Sequence, residues 1–256
     1  MKLFSNFTKV VEIVPPIDYT QKFDENIRIL NDNDIHIVSV VSNPMGKPKL
    51  PALYTAQYLM DYGFETIVHY PLSGRSKVIV KSDILQAASM GVNTMLILSG
   101  DSHGQRLWDG MGIVDVIKLV KSYNIWAGVA ADPNNINHEY LKAKVDAGAN
   151  YFQTQPVFTV ESVLKFLEEL QRYNLPVLLG LMIPKSQSHL IQLSQIPGVV
   201  IPDEYLGSFE MDSLEEDFIE NAFEQANKII DVVKEIIDGV YLSMPQSMFK
   251  YIKEIK

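Results

Sequence analysis

Polar residues within or just after apolar runs are the positions of this sequence best suited to chemistry. Glu12 is the most unusual of them, because it interrupts the apolar run 10–14. An ionised carboxylate is costly to bury without a partner, so such a residue is either neutral or paired. The pattern leaves two interpretations open: a general acid whose pKa is raised by its surroundings, or a carboxylate paired with a lysine elsewhere in the fold.

Three further candidates lie at the ends of other apolar runs. Asp101 follows Gly100, a residue that lets the backbone come close to a ligand, although an N-cap or Asx-turn role fits the pattern equally. His69 and Gln155 lie in or beside segments that otherwise look buried, and a hydrogen-bonded core side chain is the alternative for each. The same criterion adds Ser42, Asn43, Asp132 and Gln246.

The composition removes several other kinds of site. The chain has no cysteine, which excludes disulfides, zinc-thiolate sites, iron-sulfur ligation and cysteine nucleophiles. Its five histidines show no ligand spacing such as His-Glu-x-x-His, so we expect no metal site. A formal net charge of −9 without a dense Lys/Arg cluster gives no electrostatic footprint for nucleic acid or for an anionic membrane surface.

Short apolar, β-branched runs alternate with segments of helical period, which is the pattern of βα units on a buried parallel sheet. The predicted strands are 9–14, 36–41, 66–70, 94–99, 126–131, 151–154, 177–182 and 239–243. The predicted helices include 84–90, 114–122, 160–171 and 214–237. Eight units in 256 residues predict a single (β/α)8 TIM barrel, which typically takes about 250 residues. A doubly wound open sheet is the second choice, because no Gly-x-Gly-x-x-Gly follows any strand.

A barrel of this kind builds its active site from the carboxyl ends of the strands, so the candidate residues are expected at one mouth. No linker-like stretch, charge block or internal repeat divides the chain, and we expect one catalytic domain over 1–256 without a regulatory domain. No apolar run approaches the ~20 residues of a membrane span, and the first residues lack a signal h-region. We therefore expect a cytoplasmic protein that binds no membrane.

A series of short segments matches, in order, those of a known enzyme family. The run 12–16 (Glu-Ile-Val-Pro-Pro) is similar to a Glu-Phe-Phe-Pro-Pro opening, and 38–40 (Val-Ser-Val) and 98–101 (Leu-Ser-Gly-Asp) match a second strand and a Gly-Asp turn. The most specific run is 144–150 (Lys-Val-Asp-Ala-Gly-Ala-Asn), followed by Thr-Gln at 154–155. On these segments the chain resembles the methylenetetrahydrofolate reductases, flavoproteins that reduce 5,10-methylenetetrahydrofolate to 5-methyltetrahydrofolate.

The resemblance implies a (β/α)8 barrel with a flavin over its carboxyl-terminal mouth, in agreement with the strand count. Glu12 matches the family's general acid, which assists opening of the methylene bridge to the reactive iminium. Asp101 matches the aspartate beside flavin and pterin. There its charge would stabilise the developing cation, hydrogen-bond the pterin and oppose negative charge on the reduced flavin. Gln155 matches the glutamine that recognises the substrate.

The resemblance also implies contacts to the cofactor. His69 and the backbone around Ser99 and Gly100 would hold the isoalloxazine, and Lys144 would meet the ribityl or phosphate portion. Two more flavin-contact positions carry side chains that differ from those common in the family, Asp132 and Asn137. The implied cofactor is FAD, with FMN as the alternative.

Two segments depart from the family. Its phenylalanine after the seventh strand is replaced by Lys-Ser-Gln-Ser at 185–188, which removes an aromatic that stacks on nicotinamide or pterin. Its Leu-Asn-Arg after the last strand is Met-Pro-Gln at 244–246, which removes an arginine for a folate carboxylate. These changes leave open the hydride donor, which is NADH, NADPH, a deazaflavin or an electron-transfer protein. They also leave open the tail of the C1-tetrahydropterin substrate.

Two alternatives to a reductase stay open from the sequence. A flavin-free pterin methyltransferase would keep Glu12 and Gln155 without needing the Gly-Asp turn at 100–101. A non-catalytic subunit would bind flavin or pterin and dock on a redox partner protein. The sequence leaves the oligomeric state open, including a homo-oligomer.

Overall fold

The computed structural model describes residues 3–100, 110–196, 198–210 and 214–256. Within them, parallel strands close into a barrel in the order β1 to β8, and β8 pairs with β1. The strands are β1 (Thr8–Ile13), β2 (Ile37–Val40), β3 (Glu65–Pro71), β4 (Thr94–Leu98), β5 (Trp126–Ala131), β6 (Tyr151–Thr154), β7 (Val177–Met182) and β8 (Gly239–Ser243). The predicted (β/α)8 barrel is confirmed, and the last four predicted strands match in both bounds.

Helices cover the outside of the barrel. They are α1 (Gln21–Asp32), α2 (Ala52–Asp61), α3 (Lys77–Ser89), α4 (Ile113–Ser122), α5 (His138–Asp146), α6 (Val160–Gln171), α7 (Gln187–Leu193), α8 (Asp203–Gly207) and α9 (Glu215–Val233). Two 3₁₀ segments, Pro44–Gly46 and Gln246–Glu254, follow β2 and β8. The helix α9 shows why these helices dock: its buried side chains, among them Phe218, Ala222 and Ile229, recur at helical spacing.

Two hydrophobic cores lie on the two faces of the sheet. The larger core joins the outer face to the helices, as Val11 on β1 and Ile27 on α1 illustrate. The smaller core fills the barrel itself and contains alternate strand residues such as Val10, Ile67 and Leu178. Because strands of a parallel barrel are buried on both faces, they appear in sequence as continuous apolar runs.

Aromatic side chains close the amino-terminal end of the barrel. Tyr151, at the start of β6, is fully buried and lies over Gly128, where an added Cβ would overlap its ring. The Phe4 ring lies 5.3 Å from Tyr151 and 6.3 Å from Trp126, between ring centroids. The interior of the barrel is therefore packed with side chains at its amino-terminal end.

No helix in the described ranges is both long enough and apolar enough to span a membrane.

Candidate active site

The carboxyl group of Glu12 is held by hydroxyl groups from the neighbouring strand. The register pairs Val11 with Leu242, which brings the side chains of β8 beside Glu12 on the inner face. Tyr241 donates a hydrogen bond to Oε2, and Ser243 donates one to Oε1 at 3.1 Å. Burial raises the pKa of Glu12, and the two hydrogen bonds offset only part of that rise.

The ion-pair interpretation of Glu12 is wrong for the part of the chain that the structure describes. None of the lysine, arginine or histidine side chains there forms a salt bridge with Glu12. A carboxyl group with a raised pKa and hydroxyl partners retains a proton more readily than an ordinary glutamate. The Ser243 hydroxyl can also accept a hydrogen bond, so the neutral acid keeps a partner on this side.

His69 lies on the inner face of β3, near the same tyrosine. Its Nε2 is 2.7 Å from the Ser39 hydroxyl on β2, and its ring centroid is 5.9 Å from that of Tyr241. Burial lowers the pKa of His69 to about 4, so the imidazole is neutral at physiological pH. Among the described residues Nδ1 has no hydrogen-bond partner, which leaves one ring nitrogen for a ligand.

A cleft of about 400 Å³ opens beyond β2 and β3, and His69 forms part of its wall. Lys49 and Arg75 line the same cleft. Arg75 is fixed in place, because its guanidinium contacts Asp83 at 2.5 Å and donates to the Pro71 carbonyl at 2.9 Å. The cleft therefore combines a neutral imidazole with the Lys49 ammonium group and the Arg75–Asp83 ion pair.

The end of β4 approaches the loop after β3 very closely. The Ser73 N–H donates to the Ser99 carbonyl at 3.1 Å, and the Ser99 side chain is exposed. Gly100 has a φ of +85°, and a Cβ added there would lie 2.6 Å from the Ser73 Cβ. Only glycine fits this position, for both its conformation and its packing. Asp101, the predicted neighbour of flavin and substrate, lies outside the described residues.

Lys144 is a buried cation at the end of β5. It lies on α5 with only 6% of its surface exposed, which is unusual for a lysine on a helix. Its Nζ donates to the Ala130 carbonyl at 3.0 Å and lies 4.3 Å from the centroid of the Tyr140 ring. Burial lowers its pKa to about 8. No carboxylate in the described ranges pairs with it.

The two remaining predicted flavin contacts, Asp132 and Asn137, have local roles in the structure. Asp132 follows β5, and its Oδ1 accepts from the Asn134 N–H at 2.9 Å in an Asx turn. Asn137 is the N-cap of α5, and its Oδ1 accepts from the Tyr140 N–H at 2.9 Å. Both lie on the connection between β5 and α5, which leads to Lys144.

Gln155 follows β6 and is held through its backbone. Its N–H donates to the Ala131 carbonyl at 2.9 Å, and its own carbonyl accepts from the Thr154 hydroxyl at 2.8 Å. The Gln155 side chain is half-buried and makes no hydrogen bond to a described residue. The amide is therefore available to a ligand at the mouth.

The sequence interpretation missed Ser39, Gln153, Tyr241 and Ser243, which all lie on the inner face with Glu12 and His69. Three of them have an apolar residue on each side, as Tyr241 has Val240 and Leu242, whereas Gln153 lies between Phe152 and Thr154. This period-two pattern was the available signal, although it does not show which face points inward.

Gln246, which stands where the family has an arginine, is used within the protein. Its side-chain N–H group donates to the Val14 carbonyl at 3.0 Å, and its Oε1 lies 3.5 Å from the Asn26 amide. A second cleft, of about 300 Å³, lies here and is lined by Lys22 and Ser247 among others. The structure thus brings Glu12 and His69 together around Tyr241, with Lys144 at the end of β5 and Gln246 beyond β8.

One solved structure resembles this fold over nearly the whole chain. It is an uncharacterised protein from Clostridium thermocellum that binds two copies of 5-methyl-5,6,7,8-tetrahydrofolic acid. The two chains are 17% identical, each is covered over 98% of its length, and the TM-score is 0.70. At this identity the likeness shows a common fold.

Sequence relatives carry names from one family. The chain is 24% identical over 250 residues to a Caenorhabditis elegans protein named "Probable methylenetetrahydrofolate reductase (NADPH)". The aligned region covers 86% of this chain and 38% of that protein. A Buchnera aphidicola "5,10-methylenetetrahydrofolate reductase" is 28% identical over 151 residues, which cover 55% of this chain and 51% of that protein. The chain spans less than two thirds of either relative. The sequence model of the methylenetetrahydrofolate reductases matches residues 5–245, and the chain belongs to that family.

Proposed function

We propose that this protein reduces a 5,10-methylene-tetrahydropterin to its 5-methyl form, with a flavin as cofactor. The observation that carries the proposal is the Glu12 carboxyl group, which is held by Tyr241 and Ser243 and has a raised pKa. Such a group is suited to donate a proton near neutral pH. Family membership supplies the reaction in which a proton is needed.

The substrate class has support from the relatives. Those of similar sequence are named for methylenetetrahydrofolate, and the Clostridium thermocellum protein with the same fold binds 5-methyltetrahydrofolic acid. The barrel interior offers this chain's own polar groups for a pterin, with Gln155 at the mouth. We include Asp101 in the substrate contacts on the family resemblance alone.

The residues at the mouth fit a flavin. Lys144 is a buried ammonium without a carboxylate partner in the described ranges, which is the arrangement that an anionic phosphate would complete. The neutral His69, with Nδ1 unpaired among the described residues, would contact the isoalloxazine together with the backbone at Ser99 and Gly100. When bound, the flavin supplies the hydride.

The role of Glu12 follows from its surroundings. Opening of the methylene bridge leaves a substrate nitrogen that must gain a proton, and Glu12 donates it. Tyr241 and Ser243 hold the carboxyl group in one orientation, so that it is positioned before the substrate binds. The loss of the proton leaves a carboxylate that both hydroxyl groups then stabilise.

The electron donor and the tail of the substrate are the finer parts of the proposal. Ser186 caps α7 by accepting from the His189 N–H, so the segment that replaces the family's phenylalanine is the polar first turn of a helix. This favours a reductant other than NADH or NADPH, such as an electron-transfer protein. Gln246 is tethered to Val14, and Lys22 lines the second cleft, where its ammonium group would meet an anionic tail.

Flavin absorbance tests the proposal. The protein purified with a flavin should bleach on reduction with dithionite and recover its colour when 5,10-methylenetetrahydrofolate is added without oxygen. A protein that binds the pterin but no flavin would instead be a flavin-free methyltransferase. A flavoprotein whose reduced form does not react with the methylene substrate would be a non-catalytic subunit. Either result would overturn the reductase assignment.

A further inference from the structure

Gln153 carries a polar atom that the structure leaves unpaired in the interior of the barrel. Only 5% of the residue is exposed, and Oε1 has no hydrogen-bond partner among the described residues. A buried carbonyl without a partner costs about 1–3 kcal/mol, so native proteins seldom retain one without a reason. The amide is therefore either a defect of packing or a group that a ligand satisfies.

The position of Gln153 points to a ligand. Gln153 pairs with Ala130 on β5 and with Leu178 on β7, and Leu178 belongs to the core inside the barrel. The side chain therefore points inward. Ala130 is small, so the side chain in register with Gln153 on β5 leaves room beside the amide. On β7 the next inward position towards the mouth is Gly180, where the backbone of 154–155 comes so close that an added Cβ would lie 2.6 Å from the Thr154 carbonyl oxygen.

Gln153 lies within β6, and Gln155 follows just after the end of that strand. Neither side chain hydrogen-bonds to a described residue. Gln155 is half-buried nearer the mouth, whereas Gln153 is buried deeper in the barrel.

We infer that Gln153 binds the substrate, its side-chain amide pairing with the lactam edge of the pterin ring, where a carbonyl lies beside an N–H. This inference rests on the proposed function. A primary amide offers one acceptor and donors side by side, which matches such an edge. The isoalloxazine of a flavin has the same kind of edge, so the test must separate the two rings.

Gln153→Met and Gln153→Leu test the inference, with Gln171→Leu as the control at an exposed glutamine at the end of α6. Calorimetric titration with 5-methyltetrahydrofolate and, separately, with FAD gives the affinities. The thermal midpoint of the ligand-free protein gives its stability. Methionine keeps the length and unbranched shape of glutamine. Gln153→Met therefore still tests the inference if Gln153→Leu does not fold.

We expect the two Gln153 variants to gain stability without ligand, because the unpaired carbonyl is gone. They should bind 5-methyltetrahydrofolate about tenfold more weakly and FAD unchanged, since a ligand N–H loses its acceptor. The control should change neither quantity.

Unchanged affinity for 5-methyltetrahydrofolate would overturn the inference and leave the proposed function intact. Lower stability of both variants would also overturn the inference, because it would show that the Gln153 amide is already paired in the ligand-free protein. Weaker binding of FAD alone would move the contact to the flavin and overturn the assignment to the substrate. Failure of the unsubstituted protein to bind any tetrahydropterin would overturn the proposed function together with the inference.

Discussion

Tyr241 on β8 donates a hydrogen bond to the carboxyl group of Glu12 on β1, and this pair links the two strands at which the barrel closes. Burial raises the pKa of Glu12, whereas the hydrogen bond from Tyr241 lowers it. Burial and the nearby Glu12 carboxyl group both raise the pKa of Tyr241, so the tyrosine keeps its proton. The pKa of Glu12 is thus raised by burial and lowered in part by the hydrogen bonds from Tyr241 and Ser243.

Tyr241→Phe should move the pH dependence of the reaction. Removing the hydrogen bond raises the pKa of Glu12 further, and a general acid is active below its pKa. The descending limb of the pH profile should therefore move to higher pH. Rapid-mixing measurement of flavin reoxidation by the methylene substrate, at several pH values, checks this. Tyr205→Phe, at a buried tyrosine on α8, should leave the profile in place.

Glu12→Gln should slow flavin reoxidation by the methylene substrate about 10²-fold or more, the usual scale for loss of a general acid. Glutamine keeps the size and the hydrogen-bonding capacity of the side chain but carries no transferable proton. Flavin affinity and reduction of the flavin by dithionite should not change. A variant that reoxidises at the original rate would remove Glu12 from the chemistry.

His69 should make the protein less stable in acid. The folded protein lowers the pKa of His69 from 6.5 to about 4, so its contribution is fully present above pH 6.5 and is lost as pH falls towards 4. The loss between pH 7 and pH 5 should be about 2 kcal/mol. Urea unfolding at these pH values should show a flatter dependence for His69→Gln. His36→Gln, at an exposed histidine, should keep the original slope.

Lys144→Met should weaken FAD binding by about tenfold or more at pH 7, because a charge-assisted hydrogen bond to a phosphate is lost. The pKa of Lys144 is about 8, so the affinity of the unsubstituted protein should also fall between pH 7 and pH 9 as the ammonium loses its proton. The variant should lack this pH dependence. Lys142→Met provides the control, because Lys142 is exposed and pairs with Asp146. Equal FAD affinities at both pH values would contradict a contact with the phosphate.

Ser188→Phe should improve reduction of the flavin by NADH several-fold. Stacking of an aromatic ring contributes about 0.5–1.5 kcal/mol beyond burial, and Ser188 is exposed in the first turn of α7. The unsubstituted protein should be reduced slowly by NADH and NADPH. Stopped-flow traces of flavin bleaching measure both rates. Rapid, saturable reduction of the unsubstituted protein at micromolar NADH would show that the stacking residue is not needed.

The barrel could be predicted because its strands are short apolar runs between helical periods, a pattern that depends only on local sequence. β5, β6, β7 and β8 match the prediction in both bounds for that reason. The face that each strand turns inward was not predictable in the same way. Both faces of these strands are buried, so alternation along β8 does not distinguish Tyr241 from Leu242.

The residues of the candidate site also differ in whether the local sequence or only the packing of the barrel reveals them. Glu12 was found because a carboxylate in an apolar run is unusual in itself. Gln153 was missed, although it is two residues from the predicted Gln155, because its burial and its unpaired Oε1 depend on the packing of the barrel interior. The burial of Lys144 likewise depends on the packing of α5 against β5, which helical periodicity does not show for a single lysine.

The aromatic cluster of Phe4, Trp126 and Tyr151 closes the amino-terminal end of the barrel. A reactant that reaches Glu12 has to leave through the opening by which it entered. In the proposed reaction the reductant of the flavin and the pterin substrate would use the same mouth, and we expect them to bind one after the other. We expect double-displacement kinetics, in which reciprocal plots of initial rate at several fixed concentrations of the other reactant are parallel lines.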